Sequence, residues 1–316
     1  MDYVGIASMS EYAEKMIITI ASDTIPGEYY LYDTIKNTVT FLGSTKPWID
    51  PKTMSPMQPV NFEARDGETI YGFLTVPLDS DGKNLPLIVN PHGGPFGIQD
   101  RWGFNPETQY FANQGYAVMQ INFRGSGGYG KRYEKIGYKR WGLEMQDDIS
   151  DGVQWAVNQG IADKDHVCIY GASYGGYATM AGITLTPELY SCAVNYVGVW
   201  DLEMLYKQDG RWDDRMGRWF RNHVIDVKED KEQLRKTSPS YHIDKIKAPL
   251  FIVHGRKDYN VRIEQAETLM DALDEKDIPY EVMIKKEEGH GFVLEENRIE
   301  LYQKMGEFFR ENLAKN

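Results

Sequence analysis

Apolar residues fall in two textures along this chain. Through residues 1–45 they come in short bursts, "KMIITIASD", "EYYLYDT" and "NTVTFLG", broken by the turn signals Pro26-Gly27 and Lys36-Asn37. Strand-forming runs of this length between turn residues predict three short antiparallel strands. So few strands make a small sheet or part of a propeller blade rather than a self-standing domain. No second copy of the pattern follows, so residues 1–45 read as a partial β-propeller blade or β appendage. Residues 46–59, "KPWIDPKTMSPMQP", carry four prolines and read as a semi-rigid connector.

From Val60 onward the texture changes. "VNFEARDGETIYGFLTVP" predicts a hairpin turning at Asp66-Gly67. The runs "LPLIVNPHGG", "YAVMQINFRG", "HVCIYGAS", "CAVNYVG", "APLFIVHG" and "YEVMIKKE" are apolar enough for strands covered on both faces. Between them the period lengthens to that of helices. Ile149, Val153, Ala156 and Val157 share one face, as do Ile263, Ala266, Leu269 and Leu273, and later Leu301, Met305, Phe308 and Leu313. Alternating strands and helices predict an α/β domain over residues 60–316, with a doubly wound, mostly parallel sheet and the short N-terminal β segment before it. Ligands of such a sheet bind at the carboxyl ends of its strands, where the glycine-rich turns of this chain fall.

Composition narrows the classes. An apolar content of 41% is ample for a core in 316 residues. The net charge of −12, from 47 acidic and 35 basic residues, argues against nucleic acid or an anionic membrane as partner. No apolar run reaches membrane-spanning length, and "MDYVGIASMSEYAEK" lacks the basic start and hydrophobic block of a signal peptide, so a cytoplasmic protein is expected. Cys168 and Cys192 each sit in an apolar run and are expected to be buried thiols rather than a disulfide or a metal site. The six histidines lack zinc spacing, and neither a metal nor an organic cofactor is expected.

The chemistry enters at "YGASYGGYATM", residues 170–180, directly after a buried strand. Gly171-Ala172-Ser173-Tyr174-Gly175 has the form G-x-S-x-G, a strand-to-helix turn that stands a serine clear of the backbone at a helix N-terminus. A serine is a weak nucleophile until a base removes its proton, and that base needs a third group to hold its tautomer. In this architecture the chain order is serine, acid, histidine. "FIVHGRKDYNV" supplies Asp258 in the loop after one strand, and "KKEEGHGFV" supplies His290 in the loop after the last. His254 reads as structural, and His166, His223 and His242 as surface residues. Glu287 and Glu288 read as a solvated charge run. Two backbone N–H groups are needed where negative charge develops; Tyr174 should provide one and the loop "NPHGGPFG", through Gly93 and Gly94, the other. His92 is expected to brace that loop. "NFRGSGGYGKRY" lacks the lysine-serine ending of a phosphate loop and reads as a glycine-rich loop beside the active site.

In sequence, "SDTIPGEYYLYD", "PHGGPFG", "NFRGSGGYG", "GASYGGYATM", "HGRKDYNV" and "EEGHGF" resemble the prolyl oligopeptidase family of serine peptidases, in its acylaminoacyl-peptidase-like branch. The resemblance implies an α/β-hydrolase fold, with Ser173 as nucleophile, Asp258 as acid and His290 as base. It also implies that the N–H groups of Tyr174 and Gly94 form the oxyanion hole. By likeness to the dipeptidyl-peptidase branch, Val197, Trp200 and Val261 would line an apolar pocket for the first residue, core packing being the alternative for all three. Many relatives carry an arginine two residues after the acid that grips a peptide carbonyl; here that position is Asn260, as in the dipeptidyl branch. The family's propeller is represented only by what looks like its final blade, as if this were the catalytic end of a longer ancestor.

The expected activity is therefore hydrolysis of short peptides or acylated aminoacyl substrates through an acyl-enzyme. The alternatives are a carboxylesterase acting on short acyl esters and a non-catalytic binding or assembly remnant. The exposed edge of a small N-terminal sheet should either fold back along the hydrolase domain or pair with a second copy in a homodimer.

Overall fold

The computed structural model describes residues 3–208 and 215–314. The first sheet contains β1 (Tyr3–Met9), β2 (Lys15–Ala21), β3 (Glu28–Asp33) and β4 (Thr38–Ser44), antiparallel and paired in that order. β1 is a strand that the hydrophobic pattern does not announce. Gly5, Ala7 and Ser8 dilute its apolar residues, and its place is secured by pairing with the edge of β2.

The second sheet has eight strands: β5 (Met57–Glu63), β6 (Thr69–Thr75), β7 (Leu85–Val89), β8 (Ala117–Asn122), β9 (Ala162–Ala172), β10 (Cys192–Tyr196), β11 (Leu250–Gly255) and β12 (Tyr280–Lys285). Their spatial order is β12-β11-β10-β9-β7-β8-β6-β5, and β6 alone runs against its neighbours. This is the α/β-hydrolase arrangement. β5 and β6 form the hairpin expected at Asp66-Gly67, with Gly67 at φ 86°. β5 begins at Met57, within the proline-rich stretch, because Met57 already pairs with Thr75.

Helices cover both faces. α1 (Pro106–Asn113), α2 (Lys131–Ile136), α3 (Glu144–Asn158), α4 (Tyr174–Leu185), α5 (Leu202–Lys207), α6 (Arg215–His223), α7 (Lys231–Thr237), α8 (Glu264–Asp274) and α9 (Glu295–Leu313) follow in chain order. Alternation along the central strands sorts the core into two layers. Leu87, Val89, Val167, Ile169, Leu250 and Ile252 pack with α3, α4 and α8. Ile88, Cys168, Tyr170, Phe251 and Val253 pack with α1 and α9.

That sorting corrects the expectation for the cysteines. Cys168 and Cys192 are register partners on adjacent strands and project to the same face, with Cα atoms 4.6 Å apart, and they are joined as a disulfide. The apolar runs announce burial, whereas the pairing depends on which strands become neighbours.

Polar contacts tie the first sheet to the second. The Asp23 carboxylate accepts from Met57 N at 2.6 Å, and the Gln109 amide of α1 donates to the carbonyls of Asp23 and Ser55. Asp100 anchors the chain between β7 and α1: its N–H donates to the Asn122 side chain, and its Oδ1 accepts from Gln120. The other oxygen, Oδ2, is sealed from solvent without a partner, and burial pushes the carboxyl up to about 7. The folded state therefore binds more protons than the unfolded state between the ordinary aspartate value and about 7. The contribution is complete below that window and is lost as pH rises through it. Asp100→Asn keeps the Oδ1 acceptor, so it should raise the melting temperature at pH 8 and leave it nearly unchanged at pH 4. It should also flatten the decline between them, as thermal unfolding across that range would show.

Candidate active site

β9 ends at Ala172, α4 begins at Tyr174, and Ser173 between them sits at φ 58° and ψ −117°. A side chain at positive φ is strained, and the neighbours explain how the turn closes. A Cβ on Gly171 would lie 2.4 Å from the Gly175 backbone, and one on Gly175 would lie 2.2 Å from the Pro91 carbonyl oxygen. Only glycine fits at either place. The Ser173 N–H donates to the Tyr196 carbonyl at 3.0 Å, which fixes the turn to the end of β10.

Ser173, Asp258 and His290 are brought together from three strand ends. His290 Nε2 lies 2.9 Å from Ser173 Oγ, and His290 Nδ1 lies 2.7 Å from Asp258 Oδ2. With the imidazole neutral, Nδ1–H donates to the carboxylate and Nε2 accepts from the serine hydroxyl. Asp258 is fully buried, and its Oδ1 accepts from the N–H groups of Asn260 at 2.8 Å and Val261 at 2.9 Å. His254 is structural: its Nε2–H donates to the Val261 carbonyl at 2.8 Å, and burial lowers its pKa.

Glu288 departs from the sequence reading. It is not a solvated charge; it is fully buried beneath the His290 loop. Its carboxylate accepts from Val293 N at 2.8 Å, Leu294 N at 3.1 Å and Asn297 Nδ2 at 2.8 Å, tying the backbone just before α9 to a side chain of its first turn. Burial alone would raise its pKa, but these bonds hold it below the ordinary glutamate value. Glu287, its neighbour, pairs with Lys257 at the surface. On the other side of the loop, Phe292 N–H donates to the Tyr196 hydroxyl.

The loop after β7 is held as a unit. His92 Nδ1 lies 2.7 Å from the Gly93 carbonyl and Nε2 lies 2.8 Å from Ser126 Oγ. Burial pushes this imidazole down to about 4, so it is neutral, donating from Nδ1 and accepting at Nε2. Gly97 N–H donates to Gly125 O and Gly127 N–H to Ile98 O, so the glycine-rich stretch after β8 buttresses the loop. A Cβ on Gly93 would meet the Ala172 carbonyl oxygen at 3.2 Å and Ser173 Cβ at 3.4 Å, which sets this backbone against the serine. Gly94 adopts φ 118°.

Ser173 and His290 open onto a cleft of about 320 Å³. Gly94, Tyr174, Asn260 and Val261 line it with them. Val197 and Trp200 do not. Val197 is buried beneath the α9 face, and Trp200 donates from Nε1 to Thr268 and packs in the opposite layer. Val199, between them in sequence, is the residue that reaches the cleft. The rest of the wall is aromatic and aliphatic, from Trp141, Leu205, Trp219, Phe220 and Val224, with Gln208 and Arg262 at polar positions. These residues carry no motif spacing, and the signal available was only their apolar character. Among the described residues, no cluster of histidine, cysteine, aspartate or glutamate could hold a metal ion. No helix of the described residues is long and apolar enough to cross a membrane.

Comparison with known proteins places this geometry. The profile of the prolyl oligopeptidase family matches residues 102–316. The chain is similar to dipeptidyl aminopeptidase BIII of Pseudoxanthomonas mexicana, 37% identical over 89% of this chain and 42% of that protein. It is 31% identical to dipeptidyl peptidase family member 6 of Caenorhabditis elegans, over 98% of this chain and 45% of that one. Among solved structures, acylaminoacyl peptidase of Pyrococcus horikoshii superposes with a TM-score of 0.82 at 27% identity, covering 98% of this chain and 50% of that chain. The chain thus spans about half the length of the curated relatives it matches.

Proposed function

The chain belongs to the prolyl oligopeptidase family, and from that premise we propose that it is a serine peptidase acting on short peptides or acylated aminoacyl substrates. The observation that carries the reading is the continuous hydrogen-bonded path from Ser173 Oγ through His290 to buried Asp258, opening on an apolar cleft. Ser173 Oγ attacks the substrate carbonyl carbon while its proton passes to His290 Nε2. The new oxyanion is held by the N–H groups of Tyr174 and Gly94, as proposed from the motifs. Collapse of the tetrahedral adduct expels the amine, which takes the proton from His290 and leaves an acyl group on Ser173. Water, deprotonated by the same imidazole, releases the acid. Asp258 accepts from Nδ1–H and holds the imidazole in the tautomer that leaves Nε2 free to take the proton. The aromatic and aliphatic wall suits an apolar side chain next to the scissile bond. A fluorophosphonate probe should label Ser173, and rates on aminoacyl anilides should exceed the uncatalysed background; failure of both would overturn the reading.

Asn260 bears on the choice between peptides and esters. Its side chain is exposed at the cleft and, among the described residues, has no hydrogen-bond partner, while its backbone N–H is committed to Asp258. If the amide donates to a peptide carbonyl, Asn260→Ala should lower kcat/KM for peptide anilides by about 1 kcal/mol of transition-state binding, roughly fivefold, and spare simple acyl esters. Equal loss on both would instead place Asn260 in a loop-holding role.

The same proposal divides the chain into a partial propeller blade (residues 1–45), a connector (46–59) whose last residues already join β5, and the catalytic domain (60–316). β1 and β4 are the edges of the first sheet, and they leave Val4, Ile6, Val39 and Phe41 exposed. Unpaired strand edges with apolar flanks favour an isologous contact between two copies. Ile6→Lys should therefore convert a dimer to a monomer in light scattering, and a parent that is already monomeric would refute the contact. The Cys168–Cys192 disulfide favours an oxidising compartment over the cytoplasmic setting expected from the sequence, since reducing compartments keep such pairs as thiols.

A further inference from the structure

Tyr196 closes β10, the strand between β9 and β11, and it is buried in the layer that packs with α9. In the sheet it is the register partner of Ala172, which precedes Ser173, and of Val253, on the strand that leads to Asp258. Its carbonyl takes the Ser173 N–H at 3.0 Å. Its side chain runs to the third triad loop, where the hydroxyl accepts from Phe292 N–H and the two rings meet edge to face at 5.4 Å. Burial pushes the phenol up to about 12, so it keeps its proton and accepts through a lone pair. One residue thus borders all three segments that carry the triad.

The other contacts of the base loop lead elsewhere. Gly291 N–H donates to the Gly289 carbonyl at 2.9 Å, a tight turn with His290 at its tip. The Glu288 carbonyl accepts from Lys257 N at 2.8 Å, which ties the turn to the acid loop. A Cβ on Gly255 would come within 2.4 Å of that same oxygen. The Glu288 carboxylate is spent on Val293, Leu294 and Asn297. These bonds hold His290 to the acid loop and to α9, and none of them reaches the serine turn. Beyond the reacting pair itself, the contact among these that joins that turn to the base loop is Tyr196, through its carbonyl and its hydroxyl.

Proton transfer between Oγ and Nε2 depends steeply on their placement, and an error of about 1 Å can cost about 100-fold. We propose that, within the peptidase reading on which this role rests, Tyr196 is a positioning residue. Its carbonyl fixes the nucleophile and its hydroxyl fixes the base, so their 2.9 Å contact is set before substrate arrives. Tyr196 is not among the residues that line the cleft, so it acts on the reacting pair and not on substrate binding. Without the hydroxyl, the N–H of buried Phe292 loses its acceptor, and the loop must shift to find another.

Tyr196→Phe in the full chain deletes that one oxygen and keeps the ring and the carbonyl. On an aminoacyl anilide, well below the melting temperature, kcat should fall about 10- to 100-fold with KM little changed. Proton NMR reads the loop directly. The far-downfield signal of the His290 Nδ1–H held by Asp258 should be sharp in the parent and broadened or lost in the variant, which looser packing elsewhere in the core would not cause. 3-Fluorotyrosine at position 196 keeps the shape and weakens the oxygen as an acceptor. It should give an intermediate kcat, and it keeps the test decisive if Tyr196→Phe folds poorly. Parent-like kcat and NMR signal in both would overturn the role, as would a loss confined to KM. Labelling of Ser173 by a fluorophosphonate should slow in parallel with kcat. A parent that labels but leaves anilides intact would fail the peptidase reading, while the labelling rates still decide the role of Tyr196.

Discussion

Ser173→Ala and His290→Ala are each expected to lower kcat on an aminoacyl anilide by about 10⁴- to 10⁶-fold. The size follows from the geometry: the 2.9 Å contact between His290 Nε2 and Ser173 Oγ is the only route by which the hydroxyl proton reaches a base among the described residues. Removing either partner removes the shared effect, so the double variant should be scarcely worse than either single one. The two differ in stability. Ser173→Ala keeps the backbone turn and its bond to Tyr196, and its melting temperature should match the parent. His290→Ala strips the buried Asp258 carboxylate of its side-chain partner and should melt lower, although two backbone donors still hold Oδ1. Purified variants assayed beside their melting curves would show both effects. Near-parent turnover in either would mean that the nucleophile or the base lies elsewhere.

What could be read from the chain alone depended on whether the signal was local. The central strands announce themselves because both faces are buried, so no polar alternation interrupts them and runs such as Val167-Cys168-Ile169 stay apolar throughout. The turn at Ser173 is legible for a similar reason: strand, serine and helix lie within a short stretch of chain, and the glycines are forced by contacts inside that unit and with the neighbouring Pro91 loop. Non-local facts were less accessible. Glu288 looks like a charge among charges, and only the closing of the loop onto α9 reveals three donors converging on it. Val199 rather than Val197 or Trp200 reaches the cleft because the chain leaves β10 through Val197 at φ 44°, a reversal that no residue type there requires. The cleft-wall residues Leu205, Phe220 and Val224 come from α5 and the end of α6, and their apolar side chains could as well have been core.

Asp258→Asn should lower kcat by about 10⁴-fold while leaving the fold and the cleft in place. The argument turns on which end of the new amide faces which partner. Oδ1 of Asp258 accepts from two backbone N–H groups, those of Asn260 and Val261, and Oδ2 meets His290 Nδ1 at 2.7 Å. An asparagine can keep the two backbone bonds only by placing its carbonyl oxygen where Oδ1 stands. Its NH₂ must then point at His290 Nδ1, where a donor would face a donor. The imidazole escapes by moving its proton to Nε2, so that Nδ1 accepts from the amide. That tautomer presents an N–H to Ser173 Oγ at the moment a base is needed, and the serine keeps its proton. The alternative orientation, with the amide nitrogen toward Asn260 and Val261, would oppose two donors at once and is the costlier. His254 offers no rescue, because its Nε2–H is already given to the Val261 carbonyl. The variant should therefore bind substrate with nearly unchanged affinity and fail at acylation, which single-turnover kinetics would separate from release. A loss confined to KM would instead assign Asp258 to holding the loop, with the imidazole oriented by some other group.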